Sequence, residues 1–179
     1  MLKVSVVVGN PKPSSRTAQI ATTLVETLLA PGTYKLSVID LADHAPRLFE
    51  WPSEELAALN QEVAESDLLI VASPTYKATY TGLLKAFLDR YPNLGLSGVV
   101  AIPVMTGADL RHSMGPDVHL RPLLVELGAV VPTPGLYFVI DQMDKIDTVL
   151  ADWVAKTRAQ LGAHLPAALG AISPDERGL

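Results

Sequence analysis

Two short stretches of this 179-residue sequence carry residues whose types and spacing suit ligand chemistry. The first, Gly9 to Thr17, reads GNPKPSSRT and gathers Asn10, Lys12, Ser14, Ser15, Arg16 and Thr17 where a helix should begin. Free backbone N–H groups, the positive end of the helix dipole, hydroxyl donors and two cations together suit a phosphate monoester. An ordinary polar N-cap with solvated cations is the plain alternative. The second stretch, Ser73 to Asp89, reads SPTYKATYTGLLKAFLD and follows the apolar run DLLIVAS. Its Pro74, Thr75, Tyr76, Lys77 and Ala78, with Tyr80 nearby, offer rings and small residues that let a flat ligand approach the backbone. The alternative for either Tyr alone is partial burial with the hydroxyl in water.

Other chemistries lack their signatures. Gly9 to Thr17 has neither the Gly-Lys-Ser/Thr of a P-loop nor G-x-G-x-x-G, and no G-x-S-x-G supplies a nucleophile elbow. His112 and His119 read as surface or loop histidines, since no HxxxH or neighbouring carboxylate pattern accompanies them, and no metal site is expected. Lys85 and Asp89, four apart, read as a surface pair worth ~0.3 kcal/mol. The chain has no Cys, so any redox function must come from a bound cofactor. A net charge of −5, from 14 basic and 19 acidic residues without a long basic run, speaks against nucleic acid. With 49% hydrophobic and 18% charged residues, the chain is built to fold around one core. No apolar run approaches the roughly 20 residues that span a bilayer, and the amino-terminal one is too short for a signal peptide. A soluble cytoplasmic protein is the expectation.

The elements that must position the two stretches alternate strand and helix five times. Leu2 to Val8 (LKVSVVV) is a β-branched strand ended by Gly9, Asn10 and Pro11. A helix follows from Ser15 to about Ala30, with Ile20, Leu24, Leu28 and Leu29 as its stripe and Pro31-Gly32 as its stop. Tyr34 to Leu41 is the second strand, and Ala42 to Pro52 an irregular connection. Ser53 caps a second helix that ends near Ser66. Asp67 to Ser73 is the buried central strand, and Leu83, Leu84, Phe87 and Leu88 mark the third helix. Gly98 to Met105 is the fourth strand, with Pro103 objecting to a central place. After the loop Thr106 to Pro116, Asp117 to Leu127 reads as a helix in which Pro122 predicts a kink or a late start. Ala129 to Val131 and Leu136 to Ile140 share the fifth strand position around Pro132 and Pro134. Asp144 to Leu161 is the last helix, with Ile146, Val149, Leu150, Trp153, Val154 and Leu161 inward. One domain is expected over residues 1–161. Residues 162–179 form an Ala-, Gly- and Pro-rich tail, expected to be partly disordered or to lie on a neighbouring subunit.

Parallel strands with right-handed helical crossovers give a flavodoxin-like three-layer αβα sandwich of strand order 2-1-3-4-5. Its switch point lies between strands one and three, so Gly9 to Thr17 and Ser73 to Gly82 become opposite walls of one crevice. A phosphate on one wall and a Pro-Thr-Tyr-Lys-Ala loop on the other point to flavin mononucleotide (FMN). Backbone N–H groups around Tyr76 to Ala78 would bond the pyrimidine edge and N5, and Tyr76 would border the ring.

The stretches GNPKPSSRT, ASPTYKATYTGLLKAFLD, MTGADLRHSM and LRPLL, in collinear order over about Met1 to Ile140, resemble the NADPH-dependent FMN reductase family. They resemble in particular the reductase components of two-component alkanesulfonate monooxygenases. The resemblance implies that Asn10, Lys12, Ser15, Arg16 and Thr17 hold the phosphate and that Pro74 to Ala78 contact the isoalloxazine. Thr106 and Gly107, with Ala108 beside them, would close over its other edge. FMN and NADPH (or NADH) would be the cofactors, and reduced flavin would pass to a partner monooxygenase. A homodimer or homotetramer through the third and fourth helices is implied as well. Asn10 stands where relatives usually have Ser, and Ala108 replaces the second Gly of a Thr-Gly-Gly. Val118, next to His119, takes the place of an aromatic that accompanies a distorted fourth helix, tetramer contacts and free-flavin exchange.

Lys12, Arg16 and Arg111 are further candidates for the 2′-phosphate of NADPH, a solvated cation being the alternative for each. Hydride passes from nicotinamide C4 to flavin N5 when the rings stack, so positioning carries the catalysis and no acid or base is nominated. Two other readings stand beside this one. The first is a quinone or azo-compound reductase holding FMN permanently. The second is a non-enzymatic flavodoxin-type electron carrier, for which a charge of −5 is modest.

Overall fold

In the computed structural model, which describes residues 1–165, five parallel strands form one sheet in the order β2-β1-β3-β4-β5. The strands are β1 (Leu2–Val8), β2 (Tyr34–Asp40), β3 (Leu68–Pro74), β4 (Val100–Gly107) and β5 (Leu136–Val139). The helices are α1 (Arg16–Leu28), α2 (Glu54–Ala64), α3 (Gly82–Leu88), α4 (Arg121–Glu126) and α5 (Ile146–Gly162). This is the flavodoxin-like sandwich and strand order that the alternating pattern predicts. Among the described residues no helix is long and apolar enough to cross a membrane.

The two-residue period of each strand decides the layers. Val4, Val6 and Val8 of β1 join Leu68, Ile70 and Ala72 of β3 in packing against α1 and α5. Val7, Leu69, Val71 and Met105 pack on the other face, against α2, α3 and α4. β3 is buried at every residue, which is why it reads as an unbroken apolar run. Each such Leu or Ile contributes about 1.5–3 kcal/mol by leaving water. Ser15 and Ser53 cap α1 and α2 as predicted, accepting from the N–H groups of Ala18 and Leu56, and Thr81 does the same for Leu84 of α3.

Three regions depart from the sequence reading. β4 runs on to Gly107, taking in Thr106 and Gly107, and tolerates Pro103 for a local reason. The Ala101 N–H donates to the Val130 carbonyl at 2.8 Å, and β5 pairs only from Val104↔Leu136 onward. N–H groups alternate sides along a strand, so the one Pro103 lacks would point the same way as that of Ala101. Pro103 lies between the Val100–Val130 bridge and the first β5 pair at Val104, so no residue pairs with it on that side and no ladder bond is lost there. For the same reason Ala129 to Val131 supplies a single bridge rather than a share of the strand.

The helix expected over Asp117 to Leu127 is split. A π-helical turn over Pro116–Leu120 leads into α4, and Pro122 lies in the first turn of α4, where a missing N–H costs little. The distortion forms with Val118 in place of an aromatic. Asp117 Oδ1 accepts from Arg121 Nε at 3.0 Å, Arg121 Nη2 at 2.7 Å and the Gly135 N–H at 3.0 Å. Arg121 also donates to the carbonyls of Val131, at 2.7 Å, and Thr133. These bonds tie the π turn to the β4–β5 connection.

A 3-10 turn over Ile140–Lys145 precedes α5, which therefore starts at Ile146 rather than Asp144. Leu150, Val154 and Leu161 are buried, and Ile146, Val149 and Trp153 pack partly buried against the same cluster. Gly162, where the tail was expected to begin, closes α5. Of the proposed tail, residues 166–179 lie outside the described residues.

Candidate functional site

β1, β3 and β4 end at Val8, Pro74 and Gly107 along one edge of the sheet. From that edge α1 packs onto one face and α3 onto the other, which opens a crevice between the two connections. The cleft encloses about 490 Å³, within the roughly 300–1,000 Å³ of small-molecule sites. Asn10, Lys12, Ser15, Arg16 and Thr17 line it from the β1–α1 side, Pro74, Thr75 and Tyr76 from β3, and Thr106, Gly107 and Ala108 from β4. Lys77 and Ala78 do not line it. Ser14, Ile140 and Asp141 complete the wall. The last two were missed because they follow β5, and the only local sign was an acidic residue just past an apolar run. A second hollow of about 350 Å³ lies between α2 and the Arg90 to Gly95 segment, off this edge. Its one charged side chain, Arg90, is committed to the carbonyls of Leu48 and Glu50 and to the Trp51 ring.

At the start of α1, Ser15 Oγ accepts from the Ala18 N–H at 3.2 Å and the Ser15 carbonyl from Gln19 at 3.0 Å. The N–H groups of Arg16 and Thr17 precede these and have no partner within the helix. Among the described residues the Lys12 and Arg16 side chains form no ion pair or hydrogen bond, so two uncompensated cations stand beside those donors. Asn10 organises the loop. Its Oδ1 accepts from the Lys12 N–H at 3.0 Å and its Nδ2 donates to Thr17 Oγ1 at 3.1 Å. The Thr17 and Thr106 hydroxyls then meet at 3.1 Å, joining α1 to β4 across the floor.

The two walls are fastened to each other. Thr81 Oγ1 donates to the Gly9 carbonyl at 2.5 Å, and a Cβ at Gly9 would lie 2.5 Å from Leu84 Cβ. The Thr75 N–H donates to the Thr106 carbonyl at 2.7 Å, which holds the ends of β3 and β4 together. Beyond Thr75, Tyr76 and Thr79 exchange backbone hydrogen bonds at 2.9 and 3.3 Å, with Lys77 at φ 51° and Ala78 at φ 73° between them. Two positive φ values at the tip are the signature of a type I′ turn, normally left to Gly or Asn. Each non-Gly residue held there costs roughly 1–2 kcal/mol, and strain of this kind clusters at ligand clamps. The Lys77 and Ala78 N–H groups bond no backbone acceptor among the described residues.

On the β4 side, Tyr137 Oη donates to the Asp109 carbonyl at 2.8 Å and lies 1.9 Å from where a Cβ on Gly107 would sit. Arg111 is tied down by Asp109, its Nε 3.1 and 3.0 Å from the two carboxylate oxygens and its Nη2 2.8 Å from Oδ2. Those side-chain bonds, helped by the Arg111 backbone N–H, hold the Asp109 carboxyl down at about 2. Arg111 lines a separate shallow hollow with Ala78, His112 and His119, so only Lys12 and Arg16 of the three 2′-phosphate candidates lie in the main cleft. Both histidines are exposed, and among the described residues no group of three metal-ligating side chains occurs.

The donor set fits a molecule with a phosphate at one end and a flat ring with polar edges at the other. Residues 2–144 match the model of the NADPH-dependent FMN reductase family. The chain belongs to that family. It is 33% identical over 157 residues to the NADH-dependent FMN reductase SfnF of Pseudomonas putida, with 81% of each chain covered. It is 32% identical over 130 residues to the FMN reductase (NADPH) of Escherichia coli K12, covering 72% of this chain and 68% of that one. The crystal structure of an NADH:FMN oxidoreductase (EMOB) in its apo form superimposes with a TM-score of 0.75 at 27% identity, over 100% of this chain and 95% of that one. As a member of the family the chain is an oxidoreductase of FMN and reduced pyridine nucleotide.

Proposed function

We propose that the chain transfers hydride from NADPH or NADH to FMN within this cleft and hands the reduced flavin to a partner monooxygenase. One observation carries the reading: unpaired Lys12 and Arg16 at the start of α1 share a cleft with the ends of β3 and β4. Lys12, Ser15, Arg16 and Thr17 would hold the phosphate, Asn10 keeping their loop in shape. Pro74, Thr75 and Tyr76 would border the ring on one side and Thr106 to Ala108 on the other, and the N–H groups of Lys77 and Ala78, which no backbone acceptor takes, would reach its edge from just outside the cleft. When bound, FMN supplies the N5 that takes hydride from the nicotinamide. The protein's share is placement: the Thr75 to Thr106 bond and the Asn10–Thr17–Thr106 link fix the walls, and no side chain moves a proton. The similarity to one NADH-dependent and one NADPH-dependent reductase supports either nucleotide. The resemblance to the reductase components of alkanesulfonate monooxygenases supports the partner. A cytoplasmic location belongs to the same reading, as does a homo-oligomer, which is supported by the exposed Val118 on the π turn, Val125 on α4 and Met114 just ahead of them.

Steady-state oxidation of NADPH and NADH with FMN, FAD and riboflavin as acceptors tests it. FMN should saturate the enzyme, and riboflavin should show a KM raised about 10- to 100-fold, because it forfeits charge-assisted bonds worth about 1.5–3 kcal/mol. Equal use of the two flavins removes the phosphate assignment. Tightly copurifying FMN with quinone-dependent turnover would favour a quinone reductase, and absence of nucleotide oxidation an electron carrier.

A further inference from the structure

Among the residues lining the cleft Asp141 is the sole carboxylate. It follows β5 directly, in the 3-10 turn that leads into α5, and α5 packs on the same face of the sheet as α1. Among the described residues its carboxylate has no hydrogen-bond or ion-pair partner. Lys12 and Arg16 line the same cleft, and neither pairs with it. The cleft therefore holds separated charges, two free cations on the β1–α1 wall and one free anion past the end of β5.

That separation dictates what each can take. A phosphate settles by the cations, and a second anion beside Asp141 would be repelled. An ionised carboxylate only accepts hydrogen bonds, so its complement is a group rich in O–H donors. FMN carries such a group, the polyhydroxylated ribityl chain between phosphate and ring. A carboxylate meeting sugar hydroxyls across a crevice at the carboxyl ends of parallel strands has a precedent in dinucleotide sites. Resting on the FMN reading above, we propose that Asp141 accepts hydrogen bonds from the ribityl hydroxyls and so selects flavins that carry them.

Quenching of flavin fluorescence by the full chain, without pyridine nucleotide, tests this with FMN, riboflavin and lumiflavin, which has the ring but no hydroxylated chain. Asp141→Ala should weaken FMN and riboflavin alike, on the order of 10-fold, and leave lumiflavin unchanged. Asp141→Asn, which keeps a carbonyl acceptor, should fall between wild type and Asp141→Ala. Arg16→Ala should weaken FMN alone, which separates the phosphate from the ribityl contribution. The proposal fails if Asp141→Ala tightens FMN, since the carboxylate would then merely repel the phosphate. It fails equally if lumiflavin weakens in step or if no flavin is affected, for then Asp141 serves only the turn. A wild type that binds none of the three overturns the FMN reading itself.

Discussion

Single side chains in this cleft act mostly by excluding alternatives. At Gly107 the space a Cβ would need is filled by the Tyr137 hydroxyl, 1.9 Å away, so only Gly allows Tyr137 to reach the Asp109 carbonyl. Gly107→Ala should displace the phenol and cost about 1–3 kcal/mol as an overpacking change, a fall in Tm of about 2–4 °C per kcal/mol for a chain this size. Adding Tyr137→Phe removes the clashing oxygen, so the double variant should melt above Gly107→Ala alone. If it does not, the clash is not the cause. Asp109 makes a different prediction. Arg111 holds its carboxyl at about 2, below its unfolded value near 4. The stabilising bonds to Arg111 are therefore complete above about pH 4 and are lost as pH falls through about 2. The stability difference between wild type and Asp109→Asn in urea should stay level from pH 7 to about 5 and shrink only below about 4. A difference that fades near pH 6 would point to another group.

At the scale of elements, the bonds that shape the site divide into local and distant ones, and that division decides what the sequence could disclose. Ser15 and Ser53 each cap an N–H only three residues further on, and α1 and α2 are therefore found almost where the pattern puts them. Ser15→Ala should cost α1 about 1 kcal/mol in a thermal melt. The π turn is the opposite case. It rests on Asp117 meeting Gly135 and on Arg121 meeting the carbonyls of Val131 and Thr133, partners 10 to 18 residues away that no local pattern announces. Arg121→Met should cost about 2–3 kcal/mol, because it strands two partly buried carbonyls and leaves Asp117 without its cation. A melt within 1 kcal/mol of wild type would mean the turn stands without them. Asp141 and Tyr137 belong to this distant class too. Asp141 lines the cleft from the exit of β5, and Tyr137 of β5 backs Gly107 behind its wall, both remote in sequence from the two stretches that marked the site.

For the whole molecule, the strand order follows from five alternations and from β3 being apolar throughout, so architecture was the most legible level. Chemistry was legible on the β1–α1 and β3 walls, where charge and turn residues cluster, and faint on the β4–β5 side. What architecture leaves over is an apolar face. Val118 on the π turn and Val125 on α4 are 49% and 54% exposed, and Leu110 and Met114, in the segment leading into the π turn, are both 68% exposed. Four exposed apolar side chains within sixteen residues of chain would suit an interface between copies. Val118 also borders the shallow hollow beside Ala78, so a second copy docked there would brace the strained Lys77-Ala78 turn. Replacing Val118 and Val125 with Glu places charges in that interface. Sedimentation velocity at tens of micromolar should then show the 19.1 kDa monomer where wild type runs as a dimer or larger. FMN affinity should drop in the same variant, the turn having lost its brace. A wild type that sediments as a monomer ends the interface argument. A dissociated variant that binds FMN as tightly as wild type would show that the turn holds its left-handed shape unaided.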